Sequence, residues 1–128
     1  MIRELIAYLA PLGTIYRARA PQNARPPYQV LTIVSEAPDQ DELCASGMTL
    51  FTVQLDIYAA NAAEADPLKA AAVAMLNRPG DTFDLGSWHV ANLRLTSAED
   101  NTELEYTGSD ATLTRVTLEA EIHAEEME

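Results

Sequence analysis

Positive charge is scarce in this sequence. Eight Lys and Arg residues stand against 20 Asp and Glu residues, which gives the 128-residue chain a formal net charge of −12. Binding to nucleic acid needs clustered Lys and Arg side chains that track the phosphates. Lys69 is the single lysine, so a polybasic patch for anionic lipid is absent as well. We therefore expect neither a nucleic-acid-binding surface nor a membrane partner.

Cysteine and long apolar runs are also rare. Cys44 is the only cysteine, so it cannot form an internal disulfide, and it has no Cys or His at metal-ligand spacing. The apolar run at the amino terminus is too short and too interrupted for a signal peptide or a membrane span. These features predict a protein of a reducing compartment, in the cytoplasm.

Residue patterns typical of catalysis are missing. His89 and His123 fall on different predicted strands, and neither has a Ser or Cys at motif spacing. The five glycines are scattered, so no phosphate-binding loop is predicted. The acidic segment 99–105 lacks the spacing and the glycine of a calcium loop. We expect no enzyme and no cofactor, and allow only a weak divalent cation at a subunit boundary.

Length and composition predict a single domain over residues 1–128, because 48% hydrophobic content is enough to fill one core. A first helix is predicted over 1–12, with Ile2, Leu5, Ile6 and Leu9 at helical spacing. A second is predicted over 66–77. For the second helix the sequence offers Asp66 as the cap with Pro67 as the first helical residue, or a capping box of Asn61 with Glu64 one turn earlier. Its expected core face is made by Leu68, Ala71, Ala72, Met75 and Leu76.

Alternation of apolar and polar residues predicts the strands. The pattern is clearest where Phe51, Val53, Leu55 and Ile57 alternate with polar residues. The four main strands are expected at 28–35, 48–58, 88–96 and 112–122. A brief edge strand is expected at 14–17, and residues 82–85 are expected to form a hairpin arm with 88–96. The predicted fold is α+β, with a mostly antiparallel (mixed) sheet of about four to five strands, two helices packed on one face, and extended loops.

Three polar segments lie between these elements. Residues 18–27 hold prolines and arginines and are predicted to be an arm or loop. Segments 35–47 and 97–110 are acidic and are predicted to be long loops. Ordering such segments has a large entropic cost unless neighbours hold them, which favours a protein that assembles with copies of itself.

A succession of short motifs resembles the phage tail-completion or tail-terminator family, which includes small minor tail proteins of long-tailed phages. The resemblance covers roughly residues 1–122 in order. Its motifs are Ile15-Tyr16, Ala20-Pro21-Gln22, Pro26-Pro27-Tyr28-Gln29-Val30-Leu31, Val53-Gln54-Leu55-Asp56-Ile57-Tyr58-Ala59, Ala62 with Glu64-Ala65, and Ala74-Met75-Leu76.

The resemblance implies a subunit of a ring, usually a hexamer, that caps the tail tube at the neck end of the virion after assembly in the host cytoplasm. Such a ring stops tube polymerisation and takes part in head-tail joining. Its partners would be other copies of the chain, the tail tube protein and the head-tail connector protein, while DNA only passes through the lumen. An acidic lining would keep DNA from sticking, although high charge also serves solubility.

Subunit contacts in such a ring need charges of opposite sign. The scarce basic residues Arg17, Arg19 and Arg25 are the candidates on one side of the interface. We expect them to meet acidic residues of a neighbouring subunit, drawn from Glu36, Asp39, Asp41 and Glu42. For any single residue, an exposed charge of little energetic value remains the alternative.

Two other functions remain open at the level of sequence. An acidic DNA mimic that inhibits a nucleic-acid-binding protein would also be small and strongly negative. It would be a monomer or dimer with carboxylates spaced along one surface. A ligand-binding or regulatory α+β domain would instead need a concave apolar pocket, which the alternation of residues does not reveal.

Overall fold

The computed structural model describes residues 1–38, 48–104 and 112–127. Helix α1 spans Ile2–Leu9 and continues as a 3₁₀ turn over Ala10–Leu12, and helix α2 spans Ala62–Leu76. The strands are β1 (Ile15–Arg17), β2 (Tyr28–Pro38), β3 (Met48–Ala59), β4 (Phe83–Leu85), β5 (Trp88–Leu104) and β6 (Thr112–Glu126). Neither described helix has the length and apolar content needed to cross a bilayer.

The strands form one mixed sheet in the order β1-β2-β3-β6-β5-β4. Only β1 and β2 are parallel, and every other neighbouring pair is antiparallel. The α+β class is confirmed, but the sheet has six strands rather than four to five. The difference comes from β1 and β4, two three-residue strands at the sheet edges. Both segments were expected, at 14–17 and 82–85, but the predicted count of four to five did not include both as strands of the sheet.

Two segments predicted as loops are partly strand. β2 continues to Pro38, paired with Thr49, and β5 continues to Leu104, paired with Thr112. The predicted loops 35–47 and 97–110 are therefore wrong at 35–38 and 97–104, while 39–47 and 105–110 lie outside the described residues. Acidity indicated a loop, but exposed acidic side chains are compatible with a strand whose backbone groups bond to β3 or β6.

The core lies on one face of the sheet, beneath both helices. Phe51, Val53, Leu55 and Ile57 are almost completely buried, as the alternation predicted. They join residues of β6 and the α1 residues Leu5 and Leu9 in one apolar cluster. Helix α1 contacts β1 and β2 at one end of the strand order and β4 at the other. The sheet therefore curves around α1 as a half-barrel.

The β4–β5 hairpin turns at Gly86-Ser87, as predicted, with Leu85 paired to Trp88. Gly86 has a φ of 56°, which a glycine adopts without strain. A Cβ at this position would lie 2.7 Å from Cγ of Glu4 on α1. Glycine thus permits both the turn and the close approach of the hairpin to the first helix.

Helix α2 begins earlier than the Asp66-Pro67 pattern suggested. Asn61 is the cap, since its Oδ1 accepts from the Glu64 N–H at 2.9 Å, and Glu64 Oε1 accepts from the Ala60 N–H at 3.0 Å. The cap at Asp66 is wrong, and Pro67 lies inside the helix on its exposed side. The earlier start satisfies these two N–H groups and also buries Ala65.

The core face of α2 also differs from the predicted one, because it includes Ala65 and Val73 and excludes Ala71. Ala72 and Leu76 are buried, and Leu68 and Met75 pack at the margin of the core. Ala71 is exposed and does not contribute. In an alanine-rich helix, small side chains on several faces blur the apolar periodicity from which the face was predicted.

Replacing Asn61 with alanine is expected to lower the free energy of unfolding by about 1 kcal/mol, because the first turn of α2 loses its side-chain acceptor. Urea denaturation followed by circular dichroism would measure the change. Asp66→Ala is the matched control, since Asp66 is exposed and lies within the helix. An equal or larger loss for Asp66→Ala would contradict this cap assignment.

Candidate subunit interface

The predicted arm begins at a tight turn after β1. Ala18 has a φ of 67°, and the Arg19 N–H donates to the Arg17 carbonyl at 2.7 Å, which closes a γ-turn. The Ala18 N–H donates to Leu31 of β2 at 2.9 Å. Further along, the Ala24 N–H donates to Pro21 at 3.0 Å. Residues 18–27 therefore form a connection with no strand of its own, as predicted, that returns the chain to the start of β2.

The arm and the sheet enclose an open groove of about 690 Å³ on the face opposite the core. Small arm residues line one side, and residues of β2 and β3 line the other. The lining includes Ala18, Arg19, Tyr28, Val30, Asp56 and Tyr58. Its lining mixes charged and aromatic side chains, so it differs from the apolar pocket that a ligand-binding domain would need.

Three tyrosines connect the first three strands on this outer face. The rings of Tyr28 and Tyr58 stack with centroids 4.9 Å apart, and Tyr16 meets Tyr28 edge to face at 6.0 Å. Both separations suit favourable aromatic pairs. The guanidinium of Arg115 on β6 lies 5.9 Å from the Tyr58 centroid, so the contact reaches a fourth strand. The aromatic series fixes the surface over which the arm lies.

Asp56 lies at the centre of the polar contacts on the same face. Its Oδ1 accepts from Thr117 Oγ1 at 2.7 Å and from Arg115 Nε at 3.3 Å, and its Oδ2 accepts from Gln54 Nε2 at 2.9 Å. Only 8% of its side chain is exposed. The alternation of β3 placed Asp56 on the face opposite the core. It could not reveal the cross-strand partners that allow the carboxylate to be buried there.

The structure keeps the three predicted basic residues exposed. Arg17 ends β1, and Arg19 and Arg25 lie on the arm. None of the three forms an ion pair within the described residues. Arg3 on α1 is also exposed and outside these pairs.

The other basic residues bond within the subunit. Lys69 on α2 pairs with Asp100 on β5 at 3.0 Å, Arg94 with Glu121 at 3.0 Å, and Arg115 with Asp56 at 3.3 Å.

Arg78 is fixed most firmly, because its guanidinium lies 3.9 Å from the Phe83 ring centroid and donates to Tyr8 Oη at 3.3 Å. The hydrogen bond to Tyr8 raises the pKa of Arg78 above its ordinary value. Tyr8 Oη in turn donates to the Met75 carbonyl at 2.8 Å. These contacts serve packing between α1, α2 and the β4–β5 hairpin.

The predicted acidic partners lie elsewhere in the subunit. Glu36 is exposed on β2, five residues beyond Leu31, the residue paired with Arg17. That spacing corresponds to about 16 Å along a strand, so Glu36 and Arg17 are not brought together within one subunit. Asp39, Asp41 and Glu42 lie outside the described residues.

The histidines form no catalytic group in the described part of the chain. Nδ1 of His89 lies 2.8 Å from Asp84 Oδ1 on the exposed β4–β5 hairpin, and His123 is on β6. The described residues also hold no group of three or more His, Cys, Asp or Glu side chains that could bind a metal ion. What this surface offers chemically is ion pairing and backbone hydrogen bonding.

Comparison with known proteins identifies the family. A sequence profile of the family described as tail completion protein gp17 matches residues 3–123. Curated protein sequences give no significant match. Among solved structures, a chain in the virion of a native gene transfer agent (GTA) particle has a similar fold, with a TM-score of 0.61 and 20% identity. The similarity covers 97% of this chain and 90% of that chain, and at this identity it concerns the fold alone.

The profile spans almost the whole chain, from α1 to β6, and confirms the resemblance found in the short motifs. The family consists of structural virion proteins and not of enzymes. The chain therefore belongs to the tail completion protein gp17 family and is a structural protein of the phage tail.

Proposed function

We propose that the chain forms a ring of six subunits that caps the tail tube, terminates its polymerisation and takes part in head-tail joining. The family supports a tail structural role, and the similar chain comes from a virion of a gene transfer agent. In this proposal the chain lies at the neck end of the tail, after assembly in the host cytoplasm. Its partners are other copies of itself, the tail tube protein and the head-tail connector protein.

The observation that carries self-assembly is the group of exposed arginines on β1 and the arm. In a chain with a net charge of −12, cations are few, yet Arg17, Arg19 and Arg25 enter no ion pair within the described residues. Opposite charges across an interface set partner choice and register. We propose that these arginines meet carboxylates of a neighbouring subunit, with Glu36, Asp39, Asp41 and Glu42 among the candidates.

The same net charge suits a ring through which DNA passes. Phosphates and an acidic lining repel each other, so the duplex would move through the lumen without binding. In this proposal the exposed arginines of β1 and the arm are used between subunits, and the acidic excess remains for the lumen and the solvent.

Replacing Arg17, Arg19 and Arg25 together with alanine is expected to leave the circular dichroism spectrum unchanged and to weaken self-association by about tenfold or more. Light scattering on a sizing column, over a range of protein concentrations, would measure the oligomer mass. The triple lysine variant is the matched control, because it keeps the charges and should retain most of the association. An unchanged oligomer mass for the triple alanine variant would remove these residues from the interface.

The ring itself is tested with the unmodified chain, since subunit assembly depends on concentration. A mass near six subunits, free or on added tail tubes, would support the proposal. Measurements with and without magnesium would test the further proposal of a weak divalent cation at a subunit boundary. A monomer under every condition, with tubes that remain uncapped in electron micrographs, would overturn the ring and favour an acidic DNA mimic.

A further inference from the structure

The β1 edge and the β5 edge of the sheet carry charges of opposite sign at the same level along the strands. The pairing register can be followed across the sheet from β1 to β5 as rows of facing residues. The first row runs from Ile15 to Asp100, the second from Tyr16 to Glu99 and the third from Arg17 to Ala98. Their members are Ile15-Gln29-Ile57-Val116-Asp100, Tyr16-Val30-Asp56-Thr117-Glu99 and Arg17-Leu31-Leu55-Leu118-Ala98.

The β5 edge is open along residues 96–100 of the described chain. β4 pairs only with Trp88–Val90, and the Leu95 N–H is met by Oδ1 of Asn77 at 3.2 Å. From Thr96 to Asp100 every residue is exposed, and within the described chain the backbone pairs on the β6 side only. β1 is likewise a terminal strand whose described neighbour is β2 alone. Open edges of this kind accept a further strand.

Strand direction also suits such a contact. β1 runs parallel to β2, and the three antiparallel steps from β2 through β3 and β6 leave β5 antiparallel to both. Rotation of a subunit about an axis along the strands preserves these directions. The β1 edge of one copy would then meet the β5 edge of the next in antiparallel order.

Charge favours the pairing of a β1 edge with a β5 edge over a two-fold pairing of identical edges. Two β5 edges facing each other would bring Glu99 and Asp100 against their own copies, and two β1 edges would do the same for Arg17 and Arg19. Like charges directly opposite are destabilising, whereas the mixed pairing places Arg17 diagonally opposite Asp100. The Asp100 carboxylate pairs with Lys69 of its own subunit, but its side chain is still 65% exposed. A contact between two different edges is heterologous and produces a ring when the rotation closes.

We infer that ring closure occurs by strand addition, with Ile15–Arg17 of one copy lying antiparallel to residues 98–100 of the next. This inference rests on the proposed function, and the occupant of each edge is a second copy of this chain. The rows of Arg17 and Asp100 contain the buried residues Leu31 and Ile57, so both charges lie on the core side of the sheet. They would therefore lie on the same face of the intersubunit contact. The sheets of all subunits would form one continuous belt.

Cysteine cross-linking tests the register, with Cys44→Ala as the background. Facing residues in an antiparallel pair have Cβ atoms about 5 Å apart, close enough for a disulfide. Arg17→Cys in one chain and Ala98→Cys in another should link into a dimer under oxidation when the chains are mixed. Each variant alone should remain unlinked, and Val34→Cys, at an exposed position on β2, should not link to Ala98→Cys.

Charge exchange tests the same contact without cysteine. Two double variants should each weaken ring formation by about tenfold or more. One carries Arg17→Glu and Arg19→Glu, and the other carries Glu99→Lys and Asp100→Lys. A mixture of the two double variants should recover it, since every interface in an alternating ring again joins opposite charges. Circular dichroism of each variant verifies that the fold is intact, because Asp100→Lys also removes the ion pair with Lys69 inside the subunit.

The outcomes separate this inference from the proposed function. If the unmodified chain forms rings but Arg17→Cys and Ala98→Cys do not cross-link, strand addition is overturned and the proposed ring is unaffected. The same holds if the mixture of charge-exchanged variants does not recover ring formation. A cross-link in Ala98→Cys alone would show a two-fold contact and would also overturn the inference. Failure of the unmodified chain to assemble either in solution or on tail tubes would overturn both.

Discussion

Replacing Phe51 with alanine is expected to lower the free energy of unfolding by about 3–5 kcal/mol. Phe51 is only 1% exposed, and its ring meets Trp88 edge to face with centroids 5.1 Å apart. The change removes apolar contact between β3 and β5 and leaves a cavity in the core. Domains of this size are stable by about 5–15 kcal/mol, so the variant should be close to unfolding at physiological temperature.

Urea denaturation followed by circular dichroism would measure this loss. Val34→Ala is the control, because Val34 is 53% exposed and its truncation should change stability by no more than about 0.5 kcal/mol. Comparable losses for the two variants would show that the core is not centred on the face of β3 that carries Phe51.

Replacing Asp56 with alanine is expected to lower the free energy of unfolding by about 2–3 kcal/mol. The substitution removes the acceptor shared by Gln54, Arg115 and Thr117 and leaves their donors without it on a largely covered surface. The estimate lies below that for a fully buried pair because 30% of the Arg115 side chain is exposed.

Thermal and urea unfolding would test this prediction, with Asp56→Asn as a conservative variant that keeps one acceptor oxygen and should lose less. Glu36→Ala provides a matched control, because it removes an exposed carboxylate from the neighbouring strand. Equal stability of Asp56→Ala and Glu36→Ala would mean that the network on the outer face contributes nothing to folding.

Elements with strong periodicity could be predicted from the sequence. The alternation around Phe51 and Leu55 located β3 and its core face, because a strand with one buried face must place its apolar residues at every second position. The first helix and the Gly86-Ser87 turn were found for similar local reasons. Such features depend on a few neighbouring residues, and those are visible in the chain itself.

Features fixed by partners distant in sequence could not be predicted in the same way. The outer ends of β2 and β5 are strand because β3 and β6 bond to them, although their exposed acidic residues resemble a loop. Asp56 is covered because Arg115 and Thr117 lie on a strand about 60 positions away. Arg17, Arg19 and Arg25 are exposed, and their intermolecular partners remain a proposal.

Arg17 and Arg19 lie at one sheet edge, and Glu99 and Asp100 lie at the other. Two free subunits, each with a net charge of −12, would repel each other at long range, and the opposite charges of the two edges would attract only at close approach. Salt shortens the range of both interactions to about 8 Å at physiological ionic strength. The speed of association would then vary with ionic strength more strongly than the lifetime of the assembled contact.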